Sequence, residues 1–294
     1  MAGNPHKRHC RELSFLNTEK IMYQSYWQLS GRPFENSCDS PFYYPSESHH
    51  GALLKLRYVV ENRRGGSLLA GGTGIGKTML VQTLLQQLPE TCQPLVHIVF
   101  PQMPPDQLLA YVATELVGDS ISGNTPTIES SVRRIQSFLE DNVIAGRHAI
   151  LVIDEAHLLA ETGGLESMRL LLNFGFDNHP ALTLILVGDP SLLPALDRMP
   201  GLEERLGVKC LLRPFQEEET LSYINHRLQA AGSTKPIFTT TAIETIHRLS
   251  GGVARKINRL CDLALLIGYA QEQTEIQPSH IEDVSEELVA VQID

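Results

Sequence analysis

Short, largely apolar runs alternate with amphipathic stretches through most of this chain. Residues 67–70 (SLLA), 94–100 (PLVHIVF), 149–153 (AILVI), 181–187 (ALTLILV) and 208–212 read as five strands. Apolar runs this short, with no polar alternation, suit strands covered on both faces. Between them, residues 51–62, 79–88, 105–117, 128–143 and 163–174 carry helical spacing; in the second, Leu80, Thr83, Leu84 and Leu88 fall near one face. Strands alternating with helices predict an α/β fold, with a mostly parallel five-stranded sheet flanked by helices. The alternation stops at Arg213-Pro214. Helical patterns follow at 216–231, 241–249, 253–269 and 279–291, the second and fourth opened by expected capping boxes, Thr241 with Glu244 and Ser279 with Glu282. A small all-helical subdomain over 214–294 is therefore expected after an α/β core over 66–213.

The first 65 residues have a different texture. Residues 1–20 are polar, with a basic cluster His6-Lys7-Arg8-His9 and Arg11, and read as a flexible tail or as a contact for a partner or nucleic acid. Residues 21–45 are rich in aromatics broken by Pro and Gly. They read as an irregular arm laid on a domain surface, anchored by Tyr26, Trp27, Phe34, Phe42 and Tyr43, with the nucleotide base as an alternative neighbour. Arm and following helix together form a segment 21–65.

The chemistry begins where the first strand ends. Gly71 to Thr78 reads GGTGIGKT and fits the phosphate-loop pattern G-x-x-x-x-G-K-S/T, with a strand before it and a helix after it. That setting points backbone N–H groups and a helix N-terminus at an anion. Gly71, Gly72, Thr73, Gly74, Ile75, Gly76, Lys77, Thr78 and the following Met79 are the candidate ATP/ADP-binding residues. Lys77 is expected to reach the β/γ-phosphates, and Thr78 to hold Mg²⁺. The third strand runs into Asp154-Glu155. Asp154 is expected to hold the same ion, and Glu155 to take a proton from the attacking water. His157 follows as a helix-start histidine or as a link between nucleotide state and a partner surface. The fourth strand ends in Gly188-Asp189-Pro190, where Asp189 is either a turn cap or a polar group near the γ-phosphate. Arg205, just before the fifth strand, and Arg255, opening the third helix of the subdomain, are candidates to neutralise charge on that phosphate, while Arg259 reads as structural.

Composition narrows the classes. The chain has 294 residues, 42% of them hydrophobic, enough to bury a core. A formal net charge of −10 argues against coating nucleic acid by bulk charge. The 5 cysteines are scattered with no Cys-x-x-Cys, as in a reduced, cytoplasmic protein. No apolar run is long enough to span a membrane, and the N-terminus lacks a secretory signal.

This order of features resembles the AAA+ class of P-loop ATPases, and more closely the ExeA/GspA-like members, relatives of the transposition helper ATPases TniB, TnsC and MuB. The resemblance rests on Tyr26-Trp27-Gln28-Leu29 with Pro33-Phe34, Phe42-Tyr43-Tyr44-Pro45-Ser46 with His49 and Ala52-Leu53, GGTGIGKT, LVIDEAHLL, LVGDPSL, Phe238-Thr239, SGG at 250–252 and INRLCDLALL at 257–266. It implies Mg²⁺-dependent ATP hydrolysis coupled to nucleotide-dependent homo-oligomer assembly. It also implies that Arg205 is the arginine finger given to a neighbour, and Arg255 the lid arginine called sensor two. Asp189 stands where such proteins have Gln, Asn or Thr, and Ala254 where they often have Pro. Secretion-type relatives continue into a membrane helix and a peptidoglycan-binding domain, and the sequence stops at Asp294 with neither. The resemblance thus implies the motor and a protein partner without membrane insertion. The alternatives are a duplex-DNA-binding transposition helper, with Arg63-Arg64 and Arg133-Arg134 as basic groups, and a non-hydrolysing nucleotide switch.

Overall fold

The computed structural model describes residues 22–36, 40–118, 126–176 and 179–290. The expected tail over 1–20, Cys10 and Cys38 lie outside them. Two compact units are present, one built from 45–213 and the other from the segments on either side of it.

In the 45–213 unit, five parallel strands, β1 (Gly66–Ala70), β2 (Leu95–Ile98), β3 (Ala149–Ile153), β6 (Leu182–Gly188) and β7 (Leu206–Leu211), stand in the order β2-β3-β6-β1-β7. Parallel neighbours require crossovers, and the helices in those crossovers cover both faces. That is why β1, β3 and β6 are buried along their whole length. Alternate residues face opposite sides. Leu68, Leu151, Ile153, Leu184 and Leu186 pack with helices Pro105–Val117 and Ile128–Ile144, and helix Glu47–Glu61 crosses β1 and β7. A two-residue hairpin, β4 (Gly175–Phe176) with β5 (His179–Pro180), and short helices Leu192–Asp197 and Pro200–Glu203 were not expected. Helix Glu47–Glu61 starts before the expected residue 51, and the expected helix 163–174 is confined to Gly164–Leu171.

The second unit holds helices Glu217–Ala230, Thr240–Ser250, Ala254–Ala270 and Pro278–Ala290. Trp27 (7% exposed) and Phe34 (2%) belong to its core with Ile224, Ile246, Ile257 and Leu265, while Phe42 and Tyr44 pack against that core half-buried and Tyr26 stays exposed. Trp27 donates its indole N–H to Leu265 O at 2.9 Å. Arg227, 2% exposed, donates to Pro33 O and Glu35 O. Two caps differ from expectation. Thr239, not Thr241, caps the second helix by accepting from Ala242 N–H at 3.2 Å. Ser279 lies inside the fourth helix, and Gln277 N–H donates to His280 Nδ1. The capping box in this unit joins Gln216 and Glu219 instead.

Cys92, Cys210 and Cys261 are buried free thiols. No helix among the described residues is long and apolar enough to cross a membrane.

His148 enters β3 buried, with Nε2 at 2.9 Å from Thr183 Oγ1. Burial first, and then the charge of Arg63, push its imidazole down from 6.5 to about 4. The folded state therefore holds it neutral while the unfolded chain protonates near 6.5. Stability from this residue is full above pH 6.5 and falls as pH drops toward 4. Between pH 7 and pH 5 the wild type is expected to lose about 2 kcal/mol more than His148→Gln in urea unfolding. Equal losses would show that the imidazole does not titrate abnormally.

Candidate functional site

The phosphate loop leaves β1 at its C-terminal edge. Gly71 N–H is held by Gly188 O at 3.1 Å, which ties the loop to β6. Gly74 (φ 78°) and Gly76 (φ 103°) take left-handed backbone conformations that a side chain would oppose. Gly76 then caps helix Lys77–Gln87. Among the described residues, no backbone or side-chain acceptor engages the N–H groups of residues 72–76. A curved run of unclaimed N–H groups at a helix start is a cradle for an anion. Lys77 is 8% exposed, and its ammonium donates back to Gly71 O (2.8 Å) and Gly72 O (3.1 Å), at the mouth of that cradle.

The loop is braced from behind by a residue to which sequence reading gave no role. His49, 3% exposed, puts Nε2 at 2.8 Å from Ile75 O and Nδ1 at 2.7 Å from Ser46 Oγ. A carbonyl only accepts, so Nε2 carries the proton and Nδ1 accepts from the Ser46 hydroxyl. The absence of a side chain at Gly76 makes room, since a Cβ there would sit 3.1 Å from His49 Nε2.

β3 delivers Asp154 and Glu155 to the same edge. Thr78 Oγ1 donates to Asp154 Oδ2 at 3.0 Å, and Glu155 N–H donates to Asp154 Oδ1 at 2.9 Å. His97 Nε2, from β2, stands 3.6 Å from Asp154 Oδ2. Burial alone would raise the Asp154 pKa, but the nearby His97 imidazole and the hydrogen bonds from the Glu155 N–H and Thr78 together hold it below the ordinary carboxylate value. An ionised, buried carboxylate beside a hydroxyl is a pair of hard oxygen donors of the type Mg²⁺ takes. Among the described residues no group of three or more His, Cys, Asp or Glu could hold a metal. An ion at Thr78 and Asp154 would thus complete its shell from water and phosphate oxygens.

Glu155 takes φ 49°, an unusual conformation for a residue with a side chain. Its carboxylate is half exposed and stands 3.4 Å from His157 Nδ1; the opposite face of that imidazole, Nε2, stands 3.6 Å from Asp189 Oδ2. Asp189 also accepts from the Ser191 hydroxyl and, at 2.8 Å, from Ser191 N–H, and these bonds hold its pKa down. The strand end thus forms a carboxylate–imidazole–carboxylate row.

The structure brings Gly71 to Thr78, Asp154, Glu155 and Asp189 to one edge of the sheet. Arg205 is not among them. It precedes β7, beside Gly65 and Gly66, at the opposite edge. The length of β1 separates the two edges by about 15 Å. Arg255 sits exposed in the first turn of helix Ala254–Ala270, in the other compact unit.

The AAA domain family matches residues 60–196. General secretion pathway protein A of Aeromonas hydrophila is 37% identical over 261 residues, covering 87% of this chain. The chain spans about half the length of that relative, 46%. Among solved structures, Cdc6p from Pyrobaculum aerophilum superposes with a TM-score of 0.68 at 16% identity, covering 85% of this chain and 70% of that one. The Aeropyrum pernix ORC1 protein in complex with DNA gives 0.63 at 17% identity, covering 83% and 66%. At such identities the structures speak for the fold, and it is the one that the strand order and phosphate loop already describe. The chain carries an AAA+ ATPase domain related to general secretion pathway protein A.

Proposed function

We propose that this chain hydrolyses Mg²⁺-bound ATP to ADP and phosphate in a catalytic site shared between copies, and that its nucleotide state governs assembly with itself and a further protein in the cytoplasm. The observation that carries this reading is the division of the site residues. Lys77, Thr78, Asp154 and Glu155 meet at one sheet edge, whereas Arg205 stands about 15 Å away at the other, too far along β1 to serve its own loop. In this reading residues 71–79 bind the phosphates and Lys77 neutralises them. Thr78 and Asp154 hold the ion, which when bound would polarise the phosphoryl oxygens. Glu155 accepts the proton of the attacking water, and Asp189, through His157, orients Glu155. Arg205 serves the neighbour's phosphate. Arg255 is proposed as the lid arginine from the family resemblance alone.

Mixing two inactive chains tests the shared site. Arg205→Ala keeps an intact loop and base, and Glu155→Gln keeps an intact arginine. An equal mixture is expected to recover about a quarter of wild-type phosphate release, since half of the Arg205→Ala sites gain an intact neighbour. No recovery, with assembly confirmed by molar mass, would sink the shared site.

Duplex DNA is the alternative partner, drawn from the fold likeness to the DNA-bound ORC1 protein. Of the two basic groups raised for it, Arg133 is paired with Glu129 at 2.9 Å. ATP-dependent retention on DNA that weakens with salt is the measurement that would favour it.

A further inference from the structure

A cleft of about 670 Å³ opens at the sheet edge opposite the phosphate loop. Arg63, Arg64, His179 and Arg205 line it, with Glu204 as the one acid among the lining residues. Backbone contacts bring the two lining segments together. Gly66 N–H donates to Arg64 O at 2.8 Å, and Leu184 N–H donates to Gly65 O at 2.7 Å. A Cβ at Gly65 would lie 3.6 Å from Arg205 O, and one at Gly207 would lie 3.5 Å from Arg64 Cβ. The Arg63-Arg64-Gly65-Gly66 turn is therefore laid directly against the residues that present Arg205.

Two observations set this cluster apart from ordinary surface charge. Arg63 is held at φ 49°, a left-handed conformation that a residue with a side chain adopts only at a cost. Among the described residues, neither Arg63 nor Arg205 is in an ion pair. Arg64 donates to Tyr58 Oη at 3.4 Å and stacks on that ring, so in a chain of net charge −10 the arginines of this cleft without a carboxylate partner are Arg63 and Arg205, and they offer a site for an external anion. Guanidinium forks match phosphate oxygens in pairs. The occupant follows from charge on the two edges. The phosphate-loop edge carries Asp154, Glu155 and Asp189 and would add the charge of a nucleotide, while the opposite edge carries the arginines. Complementary charge on opposite edges of one molecule favours head-to-tail contact between copies.

We infer that this cleft takes the terminal phosphates of the nucleotide held by a second copy of this chain, and that Arg63 engages them beside Arg205. The inference rests on the shared-site reading above. Arg63→Gly tests it, because glycine adopts the left-handed conformation without strain and removes the whole side chain with its charge. The urea midpoint is expected to hold or rise, ATP half-saturation to stay within about twofold, and turnover to fall about tenfold or more. Arg63→Lys, which keeps charge but loses the fork, is expected to fall between. An equal mixture of Arg63→Gly with Glu155→Gln is expected to recover turnover. Assembly on a non-hydrolysable ATP analogue is expected to need about tenfold more Arg63→Gly protein than wild type, a readout that does not depend on hydrolysis. Wild-type turnover and assembly for Arg63→Gly would overturn the inference. So would loss of duplex-DNA retention with turnover unchanged. Recovery in the Arg205→Ala mixture alone would overturn it while sparing the shared site, whereas recovery in neither mixture, with assembly intact, would remove both.

Discussion

Glu155→Gln is expected to bind ATP as tightly as the wild type and to turn it over at about one hundredth of the rate or less. The two carboxylates at the end of β3 are held so differently that one substitution can separate their roles. Asp154 is buried and accepts from Thr78, from the Glu155 N–H and, at a longer distance, faces His97. Its oxygens are engaged in positioning. Glu155 is turned away by its φ of 49°, with a half-exposed carboxylate facing an imidazole 3.4 Å away. In the proposed role that carboxylate accepts the proton of the attacking water, which an amide of the same shape cannot do. Loop, lysine and the pair proposed to hold the ion are untouched by the change, so binding should survive. Phosphate release and equilibrium binding of ATP, measured on the same preparation, check both halves. Turnover within threefold of wild type would take Glu155 out of the chemistry.

Lys77→Ala is expected to do the reverse, weakening nucleotide binding by about 30-fold or more and abolishing measurable turnover. The ammonium spends its hydrogen bonds on Gly71 O and Gly72 O. Both acceptors belong to the loop, so the lysine closes the cradle on itself. An entering phosphate exchanges neutral acceptors for an anionic one, and charge-assisted bonds contribute about 1.5–3 kcal/mol each. Without the lysine, the backbone N–H groups must hold the phosphate charge alone. Removing a buried ammonium should leave the urea midpoint unchanged or slightly raised, which separates this outcome from unfolding. Nucleotide affinity within threefold of wild type would show that the backbone suffices.

What the sequence made legible was mostly local. The phosphate loop is a contiguous string between a strand and a helix, and β3 and β6 are apolar runs that can be little else than covered strands. The helices of the second unit were recognisable from periodicity, but their caps were not. Thr239 and Thr241 both precede an acceptable helix, and the choice depends on which backbone N–H turns inward. Helix Leu192–Asp197 and helix Pro200–Glu203 are too short, and too interrupted by proline, to carry a period. Long-range partnerships were beyond reach. The bond from Trp27 to Leu265 O spans 238 residues, and that from His49 to Ile75 O joins a helix to a loop across a strand. A histidine inside the apolar run of β2 was the one visible hint of His97, but its partner Asp154 is set by strand order, which no local pattern states. The separation of Arg205 from the phosphate loop has the same origin, since chain order alone does not say at which end of a sheet a residue stands.

The second unit is assembled from both sides of the first, and this sets an order on its making. Trp27 and Phe34 leave the ribosome early, yet the helices that cover them begin at Glu217. At synthesis rates of about 5–20 residues per second, the roughly 180 residues between Phe34 and Glu217 keep these rings waiting for about 9–36 s. The α/β unit, a contiguous stretch of chain, is complete in the meantime. During that interval Trp27, Phe34, Phe42 and Tyr44 lack the helices they pack on, so aggregation of the nascent chain is expected to start from these rings.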